Sequence, residues 1–318
     1  MPEKITFISS SDCAYSPMLR ELIHSIRQFH ASKSIDICIL DTGMTDAQIS
    51  ALTPHITKIV KAEWPAQIPK HRIRGREYFK ACVNRPFIPE LFPGYDLYLW
   101  MDADTWVQDW QSIELFLEGA RRKKLAVAAQ SDRAYRKGMR VEWLPFLPFP
   151  IKAKSFYFAN ARKAFGLKTA QRLFPYHVLS AGVFALHKDA PHWEKWQELI
   201  IQALKKGKPF TAEQLTMGMM IHLDNYPAEI MPAWCHWLCE APLIWNTETQ
   251  KFIEPYLPHH EIGILHLTGH DKMRIDRSST INITTQDNKT LHLNYRYPFY
   301  DGERDEGISS TSLSESVP

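Results

Sequence analysis

Four short apolar runs, at 5–9, 35–40, 56–60 and 95–101, alternate with helical stretches, and this alternation restricts the chain to very few architectures. Pro17 opens the first helical stretch, whose apolar residues include Leu19, Leu22, Ile23 and Ile26. Thr45, with Ala47 and Gln48, starts a second that runs to about Leu52, and residues 77–92 carry another. Strands that alternate with helices pair in parallel and take the helices on the sheet's faces. Further apolar runs at 125–129, 178–186 and 262–267 read as strands, the second interrupted at Ser180-Ala181-Gly182. Residues 193–204 and 212–222 read as helices. The expected fold class is α/β, a mostly parallel central sheet flanked by helices.

In such sheets ligands bind beyond the carboxyl ends of the strands. The residues just past each strand are therefore the first candidates for chemistry. They are Ser10, Ser11 and Asp12 after the first strand, Asp41 after the second, and Asp102 and Asp104 after the fourth. The last strand is followed by Thr268-Gly269-His270-Asp271-Lys272.

The segment Tyr95 to Asp104 is the most informative. A buried apolar strand ending in Asp-x-Asp has no packing reason to place two acids there. Side chains two apart on a strand share a face, so both carboxylates can reach one cation. Divalent ions such as Mg²⁺ and Mn²⁺ take oxygen ligands and bridge protein carboxylates to phosphate oxygens. An isolated Asp-x-Asp also caps helices and turns, so the rest of the chain must decide. His266 closes a strand and is followed by Gly269 and Lys272. Glycine lets backbone approach a ligand closely, and lysine offers a point charge to phosphate. His-x-x-Gly-x-x-Lys beyond a strand end reads as one metal ligand plus a diphosphate clamp.

Together, Asp102-Ala103-Asp104 and His266-x-x-Gly269-x-x-Lys272 resemble glycosyltransferase family 8, the retaining enzymes that include glycogenin and bacterial lipopolysaccharide galactosyl- and glucosyltransferases. Other segments resemble the family in the same order along residues 4–272. Asp12-x-x-Tyr15 is similar to its uracil-recognition segment, and Arg85 stands where it places a donor-binding arginine. Ser180-Ala181-Gly182 resembles its Asn-Ser/Ala-Gly element beside the donor sugar, and Glu213-Gln214 its Asp-Gln pair near the anomeric carbon. Ser180 and Glu213 depart from the family's asparagine and aspartate, which puts the identity of the sugar in question more than the nucleotide or the metal.

The resemblance implies a GT-A-type fold for nucleotide-diphospho-sugar transfer and a UDP-sugar donor. It implies Mn²⁺ or Mg²⁺ held by Asp102, Asp104 and His266. Donor contacts are implied at Asp12, Tyr15, Arg85, Asp102, Ala103, Asp104, Ser180, Gly182, Gly269 and Lys272, and catalytic roles at Gln214, Glu213 and Asp102. The reaction implied is hexose transfer to a glycan or other hydroxyl acceptor with retention. An imidazole beside two carboxylates mildly favours Mn²⁺.

Other classes fit less well. A nucleotidyltransferase would need a glycine-rich phosphate loop after the first strand, where Ser9-Ser10-Ser11-Asp12-Cys13 has no glycine. No Gly-x-Gly-x-x-Gly follows any strand, which disfavours a dehydrogenase. A non-catalytic relative that binds nucleotide sugar without turnover stays open. The formal charge of +3 gives no support for a nucleic-acid partner. Basic residues cluster at 71–76, 121–124 and 133–140, as solvated helix ends and loops or as contacts to an anionic surface. Five scattered cysteines make no disulfide framework, and Cys235-His236-Trp237-Leu238-Cys239 lacks a second ligand pair at zinc spacing. No signal peptide or bilayer-length apolar run stands out, so the cytoplasm is the expected location, with at most a weak peripheral membrane contact or a lipid-linked acceptor.

Three regions are expected. Residues 1–272 form the transferase domain, with an aromatic and proline-rich excursion at 141–160 serving as packing, lid or acceptor wall. Residues 273–302 are a C-terminal extension, and the Ser-, Asp- and Glu-rich 303–318 are an expected disordered tail.

Overall fold

The computed structural model describes residues 2–135, 140–142, 144–146, 148 and 152–298. Its central sheet is built from β1 (Ile5–Asp12), β2 (Asp36–Gly43), β3 (Lys58–Lys61), β4 (Leu97–Met101), β5 (Leu125–Ala129), β6 (Leu179–His187) and β7 (Ala228–Met231). The order across the sheet is β7-β5-β6-β4-β1-β2-β3, and every neighbouring pair is parallel except the two that β6 makes. This is the mostly parallel α/β sheet that the alternation of strands and helices implies.

Both faces of the sheet are covered, which is why β4 is apolar at every position. Leu97, Leu99 and Met101 join a core with Leu19, Ile23, Ile113 and Phe116, from helices Ser16–Arg27 and Trp110–Arg121. Tyr98 and Trp100, pointing the other way, join Phe184, Trp196 and Leu215 beneath helices His192–Lys206 and Ala212–His222. Thr45 caps the helix Asp46–Leu52 in a reciprocal capping box with Gln48.

Four expectations change. Residues 77–92 are not one helix: Phe79–Asn84 ends in a 3₁₀ turn, Arg85–Phe87, before Ile88–Leu91, because Pro86 and Pro89 have no N–H to donate. The strand assignment of β6 continues through Ser180-Ala181-Gly182, but its register with β5 breaks there, between Leu179 and Phe184. The run at 262–267 lies outside the central sheet. Its ordered part, Ile264–His266, pairs antiparallel with Thr105–Val107 and parallel with Trp237–Leu238 in a separate three-stranded sheet. Helix Trp110–Arg121 was not signalled by the runs above, since its apolar residues follow a loop of mixed character.

Past residue 272 the chain adds Ile281–Thr285 and Thr290–Leu293 to a four-stranded sheet with Ile244–Asn246 and Lys251–Ile253. Trp106, Trp237, Phe252, Ile283, Tyr295 and Tyr297 share the core beneath it. Buried Arg296 donates to buried Glu21 through Nε at 3.0 Å, and Arg277 binds the same carboxylate, so the C-terminal segment is tied to the first helix. Within 141–160, Phe146 and Phe156 are exposed while Tyr157 is buried and accepts the Leu179 N–H at 2.9 Å. Trp143, Phe149 and the tail at 303–318 lie outside the described residues. Among the described residues no helix is long and apolar enough to cross a membrane.

Candidate active site

Asp102, Asp104 and His266 meet at the carboxyl end of β4, each offering a ligand atom within 4.8 Å of the others. The two carboxylates do not converge by strand pleat, as the sequence suggested. β4 stops at Met101 and the chain turns, with Thr105 N–H donating to the Asp102 carbonyl at 3.0 Å, before resuming as Thr105–Val107. Asp102 and Asp104 therefore flank a tight turn, with buried Ala103 between them. His266 arrives because it pairs with Thr105 across the small sheet. Its Nε2 stands 3.3 Å from Asp104 Oδ1 and 4.0 Å from Asp102 Oδ2.

Gly182 makes room for this convergence. The Asp102 N–H donates to the Gly182 carbonyl at 2.8 Å, which docks the turn on β6. A methyl at Gly182 would lie 2.5 Å from His266 Cε1 and 3.0 Å from Asp102 Oδ2. Only a residue without Cβ leaves both side chains where they are. This cradle, with two carboxylates and one imidazole, fits a divalent cation such as Mn²⁺ or Mg²⁺.

Asp102 is fixed from behind. Arg85 Nη2 donates to its Oδ1 at 2.6 Å and Trp100 Nε1 at 2.8 Å, which leaves Oδ2 facing the site. The break in the 77–92 helix at Pro86 sets buried Arg85 against the sheet. Its Nη1 donates to the Ala181 carbonyl at 2.7 Å, and its guanidinium lies 4.8 Å from the Trp100 ring centroid. Glu213 Oε1 is 3.8 Å from the same guanidinium, while its Oε2 is buried without a hydrogen-bond partner. Burial raises the carboxyl pKa of both Asp102 and Glu213 against the opposing pull of Arg85. Burial pushes Asp104 the same way, but His266 and Arg274 outweigh it and hold the carboxyl well below the usual range.

Arg274 is the site residue that sequence reading missed. From helix Asp271–Ile275 its Nη2 reaches Asp104 Oδ2 at 2.7 Å, with Nη1 on Asp271 at 2.6 Å. Lys272, the sequence's candidate for this position, is exposed on the same helix. The signal was a second cation two residues further along the first helix after His266. Gly269, at φ +74°, turns the chain into this helix, and a side chain there would strike Glu240.

The remaining candidates have these local settings. Asp12 Oδ1 accepts the N–H groups of Ala14 and Tyr15 at 3.0 Å each, so it caps the turn into the first helix. Burial raises the Tyr15 hydroxyl to about 12, with Asp104 the next cause, which sets Tyr15 near the cation ligands. Ser180 is buried in β6. Half-buried Gln214 donates to the Leu179 carbonyl at 3.3 Å, on the stretch of β6 that leads to Gly182.

Among the described residues the Cys235–Cys239 segment forms no group of three ligands within reach of one ion. Burial raises both thiols, Cys235 to about 12, and His236 instead faces His266, Nε2 to Nδ1 at 3.0 Å. The basic run at 121–124 is accounted for by ion pairs to Glu3, Glu118, Asp189 and Glu229.

No protein-family model and no curated protein sequence matches the chain. Solved structures do. The galactosyltransferase LgtC, in complex with donor and acceptor sugar analogues, is 14% identical at a TM-score of 0.51, over 83% of this chain and 87% of that one. An active-site mutant of LgtC gives a TM-score of 0.50 at the same identity and coverage. The chain has the fold of this glycosyltransferase, which is the fold that the resemblance to family 8 implies.

Proposed function

We propose that the chain is a metal-dependent hexosyltransferase that moves a sugar from a nucleotide diphosphate donor, a UDP-sugar, to the hydroxyl of a glycan or lipid-linked acceptor with retention. The convergence of Asp102, Asp104 and His266 at the carboxyl ends of the strands carries this reading. Breaking a glycosyl–diphosphate bond gathers negative charge on the leaving group. A divalent cation held by the three residues supplies Lewis-acid stabilisation of that charge. Arg85 keeps one oxygen of Asp102 occupied and the other turned to the site, and Arg274 and Lys272 add positive charge on the helix beyond Gly269. Asp12 and Tyr15 are the proposed base-recognition pair, and Ala103, Ser180, Gly182 and Gly269 the places where donor and backbone come close.

Gln214 is the side chain proposed to face the reacting sugar. Its amide is a poor nucleophile, and Glu213 is buried against Arg85. Both points support front-face attack by the acceptor over a covalent glycosyl-enzyme. A cleft of about 380 Å³ lies past the end of β5, lined by Gln130, Asp132, Tyr135, Tyr176 and His177 among others. Aromatic faces beside amide and carboxylate groups suit a sugar acceptor. Arg72 donates to the carbonyls of Leu204, Lys205 and Gly207 and so brings exposed Lys70, His71 and Arg74 beside Lys205, Lys206 and Lys208. This basic rim supports weak contact with an anionic membrane surface and work from the cytoplasmic side.

The test is thermal stabilisation by UDP, GDP, ADP and CMP, each with Mn²⁺, Mg²⁺ or EDTA, followed by turnover of UDP-hexoses. Ligand at about a hundred times its Kd stabilises by about 2.7 kcal/mol, well within reach of the method. Stabilisation by UDP with Mn²⁺, abolished by EDTA and by Asp104→Asn, is the expected result. Binding without turnover of any donor would make the chain a non-catalytic nucleotide-sugar binder. No response to any nucleotide would end the proposal.

A further inference from the structure

We infer that His236 is a positioning residue for the cation site, acting through the tautomer of His266. This rests on the metal-site reading above. A histidine binds a cation through a nitrogen that carries no proton, so Nε2 of His266 must be bare and its ring proton must sit on Nδ1. Neither Asp102 nor Asp104 favours that arrangement. Asp104 Oδ1, 3.3 Å from Nε2, rewards the opposite tautomer, in which Nε2 holds the proton and donates it to the carboxylate.

His236 supplies the counterweight. Its Nε2 lies 3.0 Å from His266 Nδ1, and the two rings are within 12° of parallel, so the hydrogen bond runs close to the plane of both. The pair is closed to water: His236 is 1% exposed and His266 7%. With no solvent to substitute, a proton on His266 Nδ1 has His236 Nε2 as its acceptor or has none. Accepting it obliges His236 to keep its own proton on Nδ1, where it is buried and finds no partner. That orphaned group opposes the tautomer that binds metal, so the bond from His266 to the cation has to outweigh it.

Outer partners of metal-bound histidines are carboxylates, backbone carbonyls or water in most sites. Here a second imidazole holds the place, just ahead of the strand Trp237–Leu238 that pairs with Leu265 and His266, and the Cys-His-Trp-Leu-Cys segment gains a function that requires no metal of its own. His236→Phe keeps a flat ring and removes the acceptor. His236→Gln restores an acceptor oxygen near the position of Nε2.

The experiment titrates the full chain with Mn²⁺ alone, without nucleotide, reading bound ion by electron paramagnetic resonance, with thermal melts to confirm folding. Loss of an outer partner weakens binding by about 10- to 100-fold, and that range is expected for His236→Phe, with His236→Gln within a few fold of the parent. In the Mg²⁺-loaded parent the ¹⁵N shifts of His266 should report a protonated Nδ1. A folded His236→Phe that binds Mn²⁺ as the parent does overturns the inference, and so does a folded His236→Gln as weak as His236→Phe. If a variant fails to fold, the ¹⁵N shifts of His236 in the Mg²⁺-loaded parent decide: a bare Nε2 with the proton on Nδ1 supports the inference, and a His236 protonated on Nε2 overturns it. A parent that binds no Mn²⁺ at all refutes the metal site itself, which is a separate failure.

Discussion

Replacing Gly182 by Ala perturbs the candidate site with a single methyl, and the geometry sets the size of the effect. The added carbon would lie 2.5 Å from His266 Cε1, 2.8 Å from His266 Nδ1 and 3.0 Å from Asp102 Oδ2. Non-bonded carbons settle at about 3.5–4.0 Å, so the imidazole must retreat by about 1 Å. A functional constellation tolerates about 0.5 Å. The β6 backbone resists taking up the difference, because the Gly182 carbonyl is held by the Asp102 N–H at 2.8 Å and the adjacent Val183 pairs with Met101 of β4. Overpacking of this kind costs about 1–3 kcal/mol of stability. The larger loss falls on the cation, since two of its three proposed ligands are displaced together. Mn²⁺ affinity of Gly182→Ala should fall at least tenfold, equivalent to about 1.4 kcal/mol, and the melting temperature should drop by a few degrees. Paramagnetic titration and a melt measure both. Parent-like Mn²⁺ affinity with an unchanged melt would refute the packing of His266 and Asp102 against β6.

Three further outcomes are expected. Arg274→Ala should weaken UDP by about tenfold or more while leaving uridine nearly unaffected, as for loss of a charged hydrogen bond of about 1.5–3 kcal/mol. Equal loss for both ligands, measured calorimetrically beside Lys272→Ala, would remove Arg274 from the phosphates. Glu21→Gln leaves Arg296 buried with no full counter-charge and should cost about 3–5 kcal/mol in a denaturant melt, without changing Mn²⁺ affinity in the folded protein. The third concerns pH: burial, with His177 beside it, pulls the His222 imidazole down to about 4. From the ordinary value of about 6.5 down to that point the unfolded chain takes up a proton that the native one refuses. Stability therefore falls as pH drops through this window and levels below it. His222→Gln should flatten the curve, read from urea midpoints at several pH values.

The sheet was legible because its signal is local. Leu97, Leu99 and Met101 face one helical layer, Tyr98 and Trp100 the other, and a strand buried on both sides announces itself as an unbroken apolar run. Asp102, Asp104 and His266 were legible for a related reason, since the two acids stand just past such a run and His266 closes another strand. The order of strands was not, because nothing within β6 says that it lies antiparallel between β4 and β5. Arg274 and His236 were hidden because their meaning depends on distant partners. An arginine two residues beyond Lys272 looks like solvated charge until Asp104 is placed beside it. His236 sits between two cysteines, a setting that suggests zinc and conceals the contact to His266. Pro86 and Pro89 stand in plain view, yet 77–92 reads as one helix in the sequence, and nothing local shows that the break presses Arg85 against Asp102.

The pairing of Ile264–His266 with Thr105–Val107 has a consequence for how the protein comes into being. The two strands leave the ribosome far apart in time, and the first half of the chain emerges with Asp102 and Asp104 but without His266. Until the later strand arrives and seats itself, the proposed cation site is incomplete. Long-range pairing of this sort forms slowly. On the proposed function, cation capture thus waits for this late pairing, and a chain cut before Ile264–His266 lacks the third ligand.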